Sequence, residues 1–198
     1  MNKKYTHIVG IDEVGRGPIA GPVSVCAFYI PCQNNTKVLP ALDGITDSKK
    51  LSEKKREQYF DIIKELSKKG ECGYAIAHVS AKSIDAKGII TALTSALQTA
   101  LQKINLNPQT TFIYLDGGLY APENYDQETV IKGDSNILHI SAASVIAKVL
   151  RDKKMINYAE KYPHYGFEQH KGYGTKKHKD AIDTYGVTEI HRKTWIKN

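Results

Sequence analysis

The sequence is poor in cysteine and has no long apolar run. Its 198 residues contain three cysteines, Cys26, Cys32 and Cys72, with neither a CxxC pair nor the spacing of a zinc site. Such a sparse, odd set is typical of reduced thiols, so we expect a cytoplasmic protein. No apolar run approaches the ~20 residues of a membrane helix, and the residues after Met1 do not form a signal peptide. We therefore expect no membrane partner.

Acidic residues are in deficit as well. Asp and Glu number 21 against 28 Lys and Arg, which gives a formal net charge of +7. A basic protein favours a polyanionic partner, although the charge alone does not identify that partner as nucleic acid. The hydrophobic content of 41% is that of a globular protein, and 198 residues are enough to close one core without disulfides.

Short apolar runs alternate with segments of helical spacing along the chain. Runs rich in β-branched and aromatic residues, bounded by Gly, Pro or Asp, predict strands over residues 7–12, 23–30, 73–79 and 111–115. Apolar residues at helical spacing predict helices from Ser52 to Gly70 and over residues 83–103, 141–162 and 176–185. The segment 31–40 is expected to be a surface loop.

Two of the predicted helices carry an apolar stripe that should face the core. The stripes are Tyr59, Ile62, Ile63 and Leu66 in the first, and Ile90, Leu93, Leu97, Leu101 and Ile104 in the second. Strands and helices in this order predict an α/β fold with a mixed central sheet flanked by helices. We expect one domain over residues 1–198, with a core to about residue 162 and a small helical C-terminal portion over 163–198.

Carboxylates follow three apolar segments of the chain. They are Asp12 with Glu13, Asp116, and Asp134. A lone acidic pair at a strand end is usually only solvated, but three such segments can place acids along one edge of a sheet. Oxygen ligands of this kind suit Mg²⁺, and without a cation their charges would repel one another. Because adjacent strand residues point to opposite faces, Asp12 and Glu13 can share a site only if the strand ends or bulges there.

A glycine-rich segment, Gly15-Arg16-Gly17-Pro18-Ile19-Ala20-Gly21, follows the acidic pair directly. It does not match a nucleotide-binding loop, because the spacing is not GxGxxG, Pro18 has no N–H for a phosphate, and two carboxylates lie immediately upstream. An isolated segment of this kind is usually an ordinary turn. Here the glycines would let backbone amides and carbonyls approach a sugar closely.

The segment GIDEVGRGPIAGPV, residues 10–23, resembles the N-terminal signature of the type 2 ribonuclease H family, also called ribonuclease HII. Further segments of this family's pattern follow in the same order. They are Asp47-Ser48-Lys49-Lys50-Leu51, Leu115-Asp116-Gly117, Lys132-Gly133-Asp134, AASVIAKVLRD over residues 142–152, Tyr165-Gly166-Phe167, HKGYGT over residues 170–175, and His191-Arg192. The resemblance covers nearly the whole chain and implies a ribonuclease H-like fold.

The resemblance implies a metal-dependent catalytic site. The implied catalytic and metal-binding acids are Asp12, Glu13, Asp116 and Asp134. The implied cofactor is a divalent metal, Mg²⁺ or Mn²⁺. Metal ions held by acids can activate water and stabilise a leaving 3′ oxygen in an in-line displacement, which agrees with this assignment.

The resemblance also implies how substrate is bound. Gly15, Arg16 and Gly17 would read the ribose 2′-hydroxyl next to a DNA nucleotide, and Tyr173 would pack on the following deoxyribose. The 2′-hydroxyl is the group that separates RNA from DNA at one position. Lysines would supply phosphate contacts that do not depend on sequence. The remaining implied substrate-binding residues are Ser48, Lys49, Lys50 and Lys148.

The implied activity is endonucleolytic. The RNA strand of RNA–DNA hybrids would be hydrolysed, and duplex DNA would be nicked 5′ of a single embedded ribonucleotide, leaving 3′-hydroxyl and 5′-phosphate ends. A non-catalytic hybrid-binding module would lack the acids, which are all present. A junction-resolving DNA nuclease would need no reader of the 2′-hydroxyl, and Pro18 disfavours a nucleotide-binding regulator. The partners are therefore RNA–DNA hybrids and DNA that contains ribonucleotides.

A few residues carry weaker expectations. His164, His170, His178 and His191 show no metal-ligand spacing, so we expect surface or phosphate-facing side chains, with His170 nearest the substrate. Arg151 and Asp152 are expected to form a structural ion pair. The residues up to Asn198 show no tail of the kind that docks on sliding clamps, and we expect a monomer.

Overall fold

The computed structural model of the chain describes residues 5–196. The expectations about the residues after Met1 and about a tail ending at Asn198 reach outside the described residues. Between residues 5 and 196, no helix is both long and apolar enough to cross a membrane.

A five-stranded mixed sheet forms the centre of the described part of the chain. Its strands are β1 His7–Val14, β2 Val23–Pro31, β3 Gly73–Val79, β4 Thr111–Asp116 and β5 Asp126–Val130. Their order in the sheet is β3-β2-β1-β4-β5, where β2 runs antiparallel to β1 and β3 and the strands β1, β4 and β5 are parallel. The predicted mixed sheet is confirmed. The strand that the pattern does not predict, β5, has the polar sequence DQETV, which lacks apolar alternation.

Helices cover both faces of this sheet. They are α1 Asn35–Ala41, α2 Glu53–Lys68, α3 Ala81–Lys87, α4 Ile89–Ile104, α5 Gly133–Asn136, α6 Leu138–Lys161, α7 Phe167–His170 and α8 Lys176–Tyr185. On one face α4 packs against Val9, Ile11 and Ile113, and on the other face α2 and α6 pack against β2. The predicted α/β fold with helices on both sides of the sheet is confirmed.

Local signals explain where two of these helices begin or end. The side chain of Ser52 accepts a hydrogen bond from the N–H of Lys55 at 3.2 Å, which caps the first turn of α2 as predicted. The helix α6 ends at Lys161, two residues before Pro163, because the residue before a proline disfavours helical backbone.

Two predictions of local structure are wrong. Residues 31–40 are not a surface loop, because they form the end of β2, a short 3-10 turn and most of α1, which buries Val38. The helix predicted over 83–103 is divided at Gly88 into α3 and α4. The stripes are also narrower than predicted, because Ile90 is 63% exposed and Ile62 is exposed as well.

The C-terminal portion packs on the end of α6 and on the glycine-rich segment. A third apolar cluster contains Phe167 of α7 and Ala181 of α8 together with Ala20, Met155 and Ile190. Because Ala20 belongs to the glycine-rich segment, the C-terminal helices cover that segment from behind. The division of one domain at about residue 162 stays a prediction.

Candidate active site

Two acids lie side by side where the parallel strands β1 and β4 stop pairing. The last regular pair joins Ile11 to Leu115, so Asp12 and Asp116 occupy the next position on neighbouring strands. Ile11 and Leu115 point into the cluster under α4, and the alternation of strand side chains therefore directs both acids to the face covered by α6. The carboxyl ends of parallel strands are the usual place for sites in open α/β sheets.

Asp12 is buried and held by hydrogen bonds. It is 7% exposed, and its Oδ1 accepts a hydrogen bond from the N–H of Glu13 at 2.7 Å. Ser144 of α6 is also hydrogen-bonded to Asp12, and the hydroxyl oxygens of Ser144 and Ser48 lie 2.9 Å apart. Burial, followed by the charge of Glu13, raises the pKa of Asp12 well above its ordinary value despite these bonds.

The strand β1 does not end or bulge at the acidic pair. It continues to Val14, and Asp12 and Glu13 pair regularly with Cys26 and Val25 of β2. The prediction of an ending or a bulge is therefore wrong. Both acids are open at the same edge because the neighbouring strand β4 no longer pairs with β1 beyond Ile11.

Glu13 forms an ion pair with Arg16 and is repelled by the charge of Asp116. Its Oε1 lies 3.5 Å from Nη1 of Arg16. Burial is the largest cause that raises the pKa of Glu13, Arg16 offsets part of this rise, and the charge of Asp116 adds to it. Glu13 therefore shares its electrostatic environment with Asp116 although it lies on the opposite face of β1.

Asp134 lies on the short helix α5 rather than directly after a strand. The strand β5 ends at Val130, and Asp134 is in the first turn of α5. The N–H of Gly133 donates a hydrogen bond of 2.8 Å to Oδ1 of Asp116, which ties α5 to the end of β4. Burial raises the pKa of Asp134, and the charges of Asp116 and Asp47 add to the rise. We call Asp12, Glu13, Asp116 and Asp134 the acidic edge.

Asp47 is an acid that the sequence analysis does not assign to the site. It lies close enough to Asp134 to raise the pKa of that carboxyl, and its own Oδ1 accepts a hydrogen bond from the N–H of Lys49 at 2.9 Å. A signal was available, because Asp47 begins one of the segments on which the family resemblance depends. Asp47 links the loop that carries the lysines to the acidic edge.

The acidic edge offers the oxygen ligands that hard divalent cations bind. Within residues 5–196, no group of three or more His, Cys, Asp or Glu side chains could hold a metal ion as it stands. Burial and neighbouring carboxylates nevertheless raise the pKa values of Asp12, Glu13 and Asp134, so their negative charges are incompletely compensated. The donor set and its charge fit a divalent cation.

A cleft of about 380 Å³ joins two of these acids to most of the predicted substrate-binding residues. Its lining is Asp12, Glu13, Val14, Gly15, Arg16, Gly17, Ser48, Lys49, Ser144, Lys148 and Tyr173. Three predicted site residues, Asp116, Asp134 and Lys50, do not line it. Asp116 lies beside Asp12, and Nζ of Lys50 donates a 2.9 Å hydrogen bond to Ser135, the neighbour of Asp134. The structure thus gathers nine of the twelve predicted site residues around one opening.

The basic residues of α6 have partners other than those predicted. Nζ of Lys148 lies 2.8 Å from Oδ2 of Asp152, so the acid pairs with the lysine of the cleft. Arg151 instead donates hydrogen bonds to the carbonyl oxygens of Pro22 at 3.1 Å and Lys171 at 3.0 Å. The predicted ion pair between Arg151 and Asp152 is therefore wrong, because the guanidinium points away from the cleft into the protein.

The three residues Gly15, Arg16 and Gly17, here called the glycine loop, lie against Tyr173. Gly15 has a φ of 83°, and a Cβ there would lie 2.2 Å from Nε of Arg151, so only glycine fits. A Cβ added to Gly17 would lie 3.7 Å from Cε1 of Tyr173. Tyr173 is 47% exposed and lines the cleft, so part of it is open to solvent there.

The prediction for the C-terminal histidines is wrong for two of them. His178 and His191 are 0% and 1% exposed, and their Nε2 atoms lie 3.0 Å apart. Burial lowers the pKa of each to about 4, so neither carries charge at neutral pH. His164 is exposed, whereas the half-buried ring of His170 stacks on His178 with centroids 4.4 Å apart. His178 and His191 bury each other although they belong to separate segments of the chain, so no local sequence pattern reveals their burial.

A family model described as Ribonuclease HII matches residues 9–198 of the chain. The ribonuclease HII of Clostridioides difficile (strain 630) is 42% identical over 197 residues, which cover 100% of this chain and 72% of that protein. The ribonuclease HII of Bacillus subtilis (strain 168) is 44% identical over 194 residues, which cover 98% of this chain and 71% of that protein.

A solved structure shares the fold. The crystal structure of the ribonuclease H2 from Pyrococcus horikoshii OT3 matches with a TM-score of 0.71 and 25% sequence identity. The match covers 96% of this chain and 93% of that chain. The ribonuclease H-like fold expected from the sequence is thereby confirmed.

Proposed function

Since the chain belongs to the ribonuclease HII family, we propose that it nicks duplex DNA on the 5′ side of a single embedded ribonucleotide with the help of a divalent cation. Membership of the family makes it an endoribonuclease that hydrolyses RNA in RNA–DNA hybrids. The finer proposal concerns the position of the cut and the residues that act. The products would carry 3′-hydroxyl and 5′-phosphate ends.

The observation that carries the proposal is the shared cleft. Two residues of the acidic edge, the glycine loop and Tyr173 all line one opening of about 380 Å³. A nuclease without preference for ribose needs the acids but not a backbone loop facing an aromatic ring. The combination therefore favours cleavage at a position where a ribose is recognised beside a deoxyribose.

The acidic edge would hold the cation and the scissile phosphate. Asp12 and Asp116, with Glu13 and Asp134 beside them, would be the ligands, and the buried hydrogen bond from Ser144 would orient Asp12. A bound Mg²⁺ or Mn²⁺ supplies charge neutralisation and lowers the pKa of a coordinated water. The acids themselves keep the phosphate away until that charge is neutralised, because their own charges oppose it.

The remaining residues of the cleft would select and position the substrate. Backbone groups of the glycine loop would bind the 2′-hydroxyl, which both donates and accepts a hydrogen bond. The exposed side of Tyr173 would pack on the next sugar, where an additional hydroxyl would clash. Lys49, Lys50 and Lys148 would bind phosphates, and Lys148 is kept at the cleft by Asp152.

The proposal is tested by mapping the cut in a labelled DNA duplex that carries one ribonucleotide. With Mg²⁺ or Mn²⁺ we expect a single product that ends in a 3′-hydroxyl immediately 5′ of the ribonucleotide. The matched control is the all-DNA duplex of the same sequence, which should stay intact. A cut on the 3′ side of the ribonucleotide, or equal cutting of the all-DNA duplex, would contradict the proposal.

A further inference from the structure

His191 and Arg192 take no part in the proposed chemistry, yet both are buried. Their exposures are 1% and 0%, and neither lines the cleft. Burying an imidazole or a guanidinium is costly unless its polar atoms find partners. Arg192 binds one substrate-facing element of the cleft directly, and His191 is connected to the other through His178.

Arg192 binds the glycine loop from its buried side. Its Nη1 donates to the carbonyl oxygen of Arg16 at 2.8 Å, and its Nη2 donates to that of Gly15 at 2.5 Å. The same guanidinium donates through Nε to the carbonyl oxygen of Gly21 at 3.2 Å, and the N–H of Arg192 donates to that of Ile19 at 2.8 Å. One side chain therefore fixes two residues of the loop and the segment that follows it.

His191 begins a directional chain of hydrogen bonds that ends on Tyr173. Its Nδ1 accepts from the N–H of Thr188 at 2.8 Å, so a neutral His191 carries its proton on Nε2. That Nε2–H donates to Nε2 of His178 at 3.0 Å, which places the proton of His178 on Nδ1. Nδ1 of His178 lies 2.8 Å from the carbonyl oxygen of Tyr173 and donates to it.

One further observation agrees with the direction of this chain, and another shows that the two segments are also joined directly. Because burial lowers the pKa of His178 and His191 to about 4, both rings are neutral at pH 7 and each keeps one tautomer. The carbonyl oxygen of Gly172 accepts hydrogen bonds from the N–H groups of Ile19 and Ala20 at 2.9 and 3.1 Å, which joins the two segments directly.

We propose that His191 and Arg192 are positioning residues that hold the glycine loop and Tyr173 at a fixed separation and thereby set the selectivity for a ribonucleotide followed by a deoxynucleotide. The inference rests on the proposed function, in which the loop and Tyr173 contact the two sides of that junction. His191 acts on Tyr173 through His178, and Arg192 acts on the glycine loop directly.

The first test is a double-mutant cycle on two substrates, a duplex with one ribonucleotide and a continuous RNA–DNA hybrid. His178→Phe removes the bond to Tyr173 and should lower kcat/KM on the first substrate about tenfold more than on the hybrid. Tyr173→Ala should change the ratio of kcat/KM on the first substrate to kcat/KM on the hybrid in the same direction. The double variant should change it no further than Tyr173→Ala alone, because His178 acts through Tyr173.

The second test uses conservative variants. His191→Gln keeps an N–H donor for His178 and should retain the ratio between the two substrates, whereas His191→Phe should reduce it. Arg192→Lys keeps the charge but cannot reach three carbonyl oxygens, so it should also reduce the ratio, by about fivefold. Should the phenylalanine variants fail to fold, His191→Gln and Arg192→Lys carry the same comparison.

The control is His139→Phe, since His139 lies at the start of α6 and its ring lies beside that of Phe28 in β2. It should leave the ratio unchanged. Equal losses on both substrates, additive effects in the cycle, or an unchanged ratio in Arg192→Lys would overturn the inference. If the wild-type protein does not cut the single-ribonucleotide duplex, the proposed function fails instead, and the two failures are distinguishable.

Discussion

The acidic edge and the buried residues behind the glycine loop lie on two sides of one cleft and are stabilised in opposite ways. At the acidic edge, strand register places Asp12 beside Asp116, and burial together with neighbouring carboxylates raises the pKa values of Asp12, Glu13 and Asp134. Behind the loop, four buried basic side chains each find carbonyl or ring-nitrogen partners. These four, here called the basic seam, are Arg151, His178, His191 and Arg192.

The difference separates two requirements of a selective nuclease. A site that binds a divalent cation needs negative charge that the protein leaves uncompensated, so the acidic edge lowers the stability of the folded state. A site that distinguishes one sugar from another needs fixed backbone positions. The side chains of the basic seam provide them, because they form hydrogen bonds to backbone carbonyl oxygens and to one another. The variants below test this contrast.

The largest expected effect is the loss of activity in Asp12→Asn. Cleavage should fall on the order of 1,000-fold or more, because a charged cation ligand is lost. Without divalent cations the same variant should unfold at a higher temperature than the wild-type protein, since it removes a buried charge whose pKa is raised. Initial rates and thermal unfolding in EDTA measure both effects. Strong residual activity would exclude Asp12 as a ligand.

Arg151→Met should have the opposite effect on stability. It leaves the carbonyl oxygens of Pro22 and Lys171 without their donor and should lower the free energy of unfolding by about 3 kcal/mol. The matched control, Lys153→Met, changes an exposed residue of the same helix and should have little effect. Urea unfolding compares the three proteins, and an equally or more stable Arg151→Met would refute the stabilising role of the seam.

The two regions should also respond oppositely to acid. His178 and His191 have pKa values of about 4 against an ordinary 6.5, so the unfolded state binds more protons and stability falls between pH 6.5 and 4. From pH 7 to 5 each should cost roughly 1–2 kcal/mol of unfolding free energy. The acids with raised pKa gain protons in the folded state and oppose this fall.

Variants separate these two contributions to the pH dependence. His191→Gln should flatten the loss of stability on acidification, whereas Asp12→Asn should steepen it because one opposing acid is gone. Denaturation curves at pH 7, 6 and 5 provide the comparison. The same slope in both variants would show that neither group titrates as described.

Tyr173→Ala should affect cleavage more than binding. We expect about a tenfold loss of cleavage at a single ribonucleotide, because the ring orders the junction, while the Kd for the duplex changes less. Single-turnover rates and fluorescence anisotropy measure the two quantities. Equal losses of cleavage rate and of binding affinity would show that Tyr173 is only a general contact to the duplex.

The smallest effect is expected for Lys49→Ala. Binding should weaken uniformly across sequences, and the slope of log K against log salt should flatten by about one unit, as for one lost phosphate contact. Lys69→Ala, at an exposed position after α2, is the control and should leave the slope unchanged. An unchanged slope in Lys49→Ala would remove this lysine from the contacts to phosphate.

The sequence predicts the acidic edge better than it predicts the basic seam. The strands β1 and β4 follow from local apolar runs that each end in an acid, which predicts acids along one edge of the sheet, and the observed register places Asp12 beside Asp116. Asp134 is predicted to follow a short apolar segment but lies in the first turn of α5, because only two residues separate the end of β5 at Val130 from the start of α5 at Gly133.

The basic seam could not be predicted, because its contacts join residues far apart in sequence. Arg192 reaches Gly15 across 177 positions, and His178 gains its burial from His191 and from the segment that carries Tyr173. Basic and imidazole side chains are usually exposed, and for this reason the sequence predicts surface positions for histidines that are in fact buried. The motif His191-Arg192 identified the position but not its contacts.

The role of the acidic edge is tested most directly by thermal unfolding of the wild-type protein and Asp12→Asn during titration with Mg²⁺ and with Mn²⁺. The wild-type midpoint should rise with cation concentration, because a ligand that binds only the folded state stabilises it. Asp12→Asn should begin at a higher midpoint and rise much less. A wild-type midpoint that does not move, or an equal rise in both proteins, would contradict a cation site at the acidic edge.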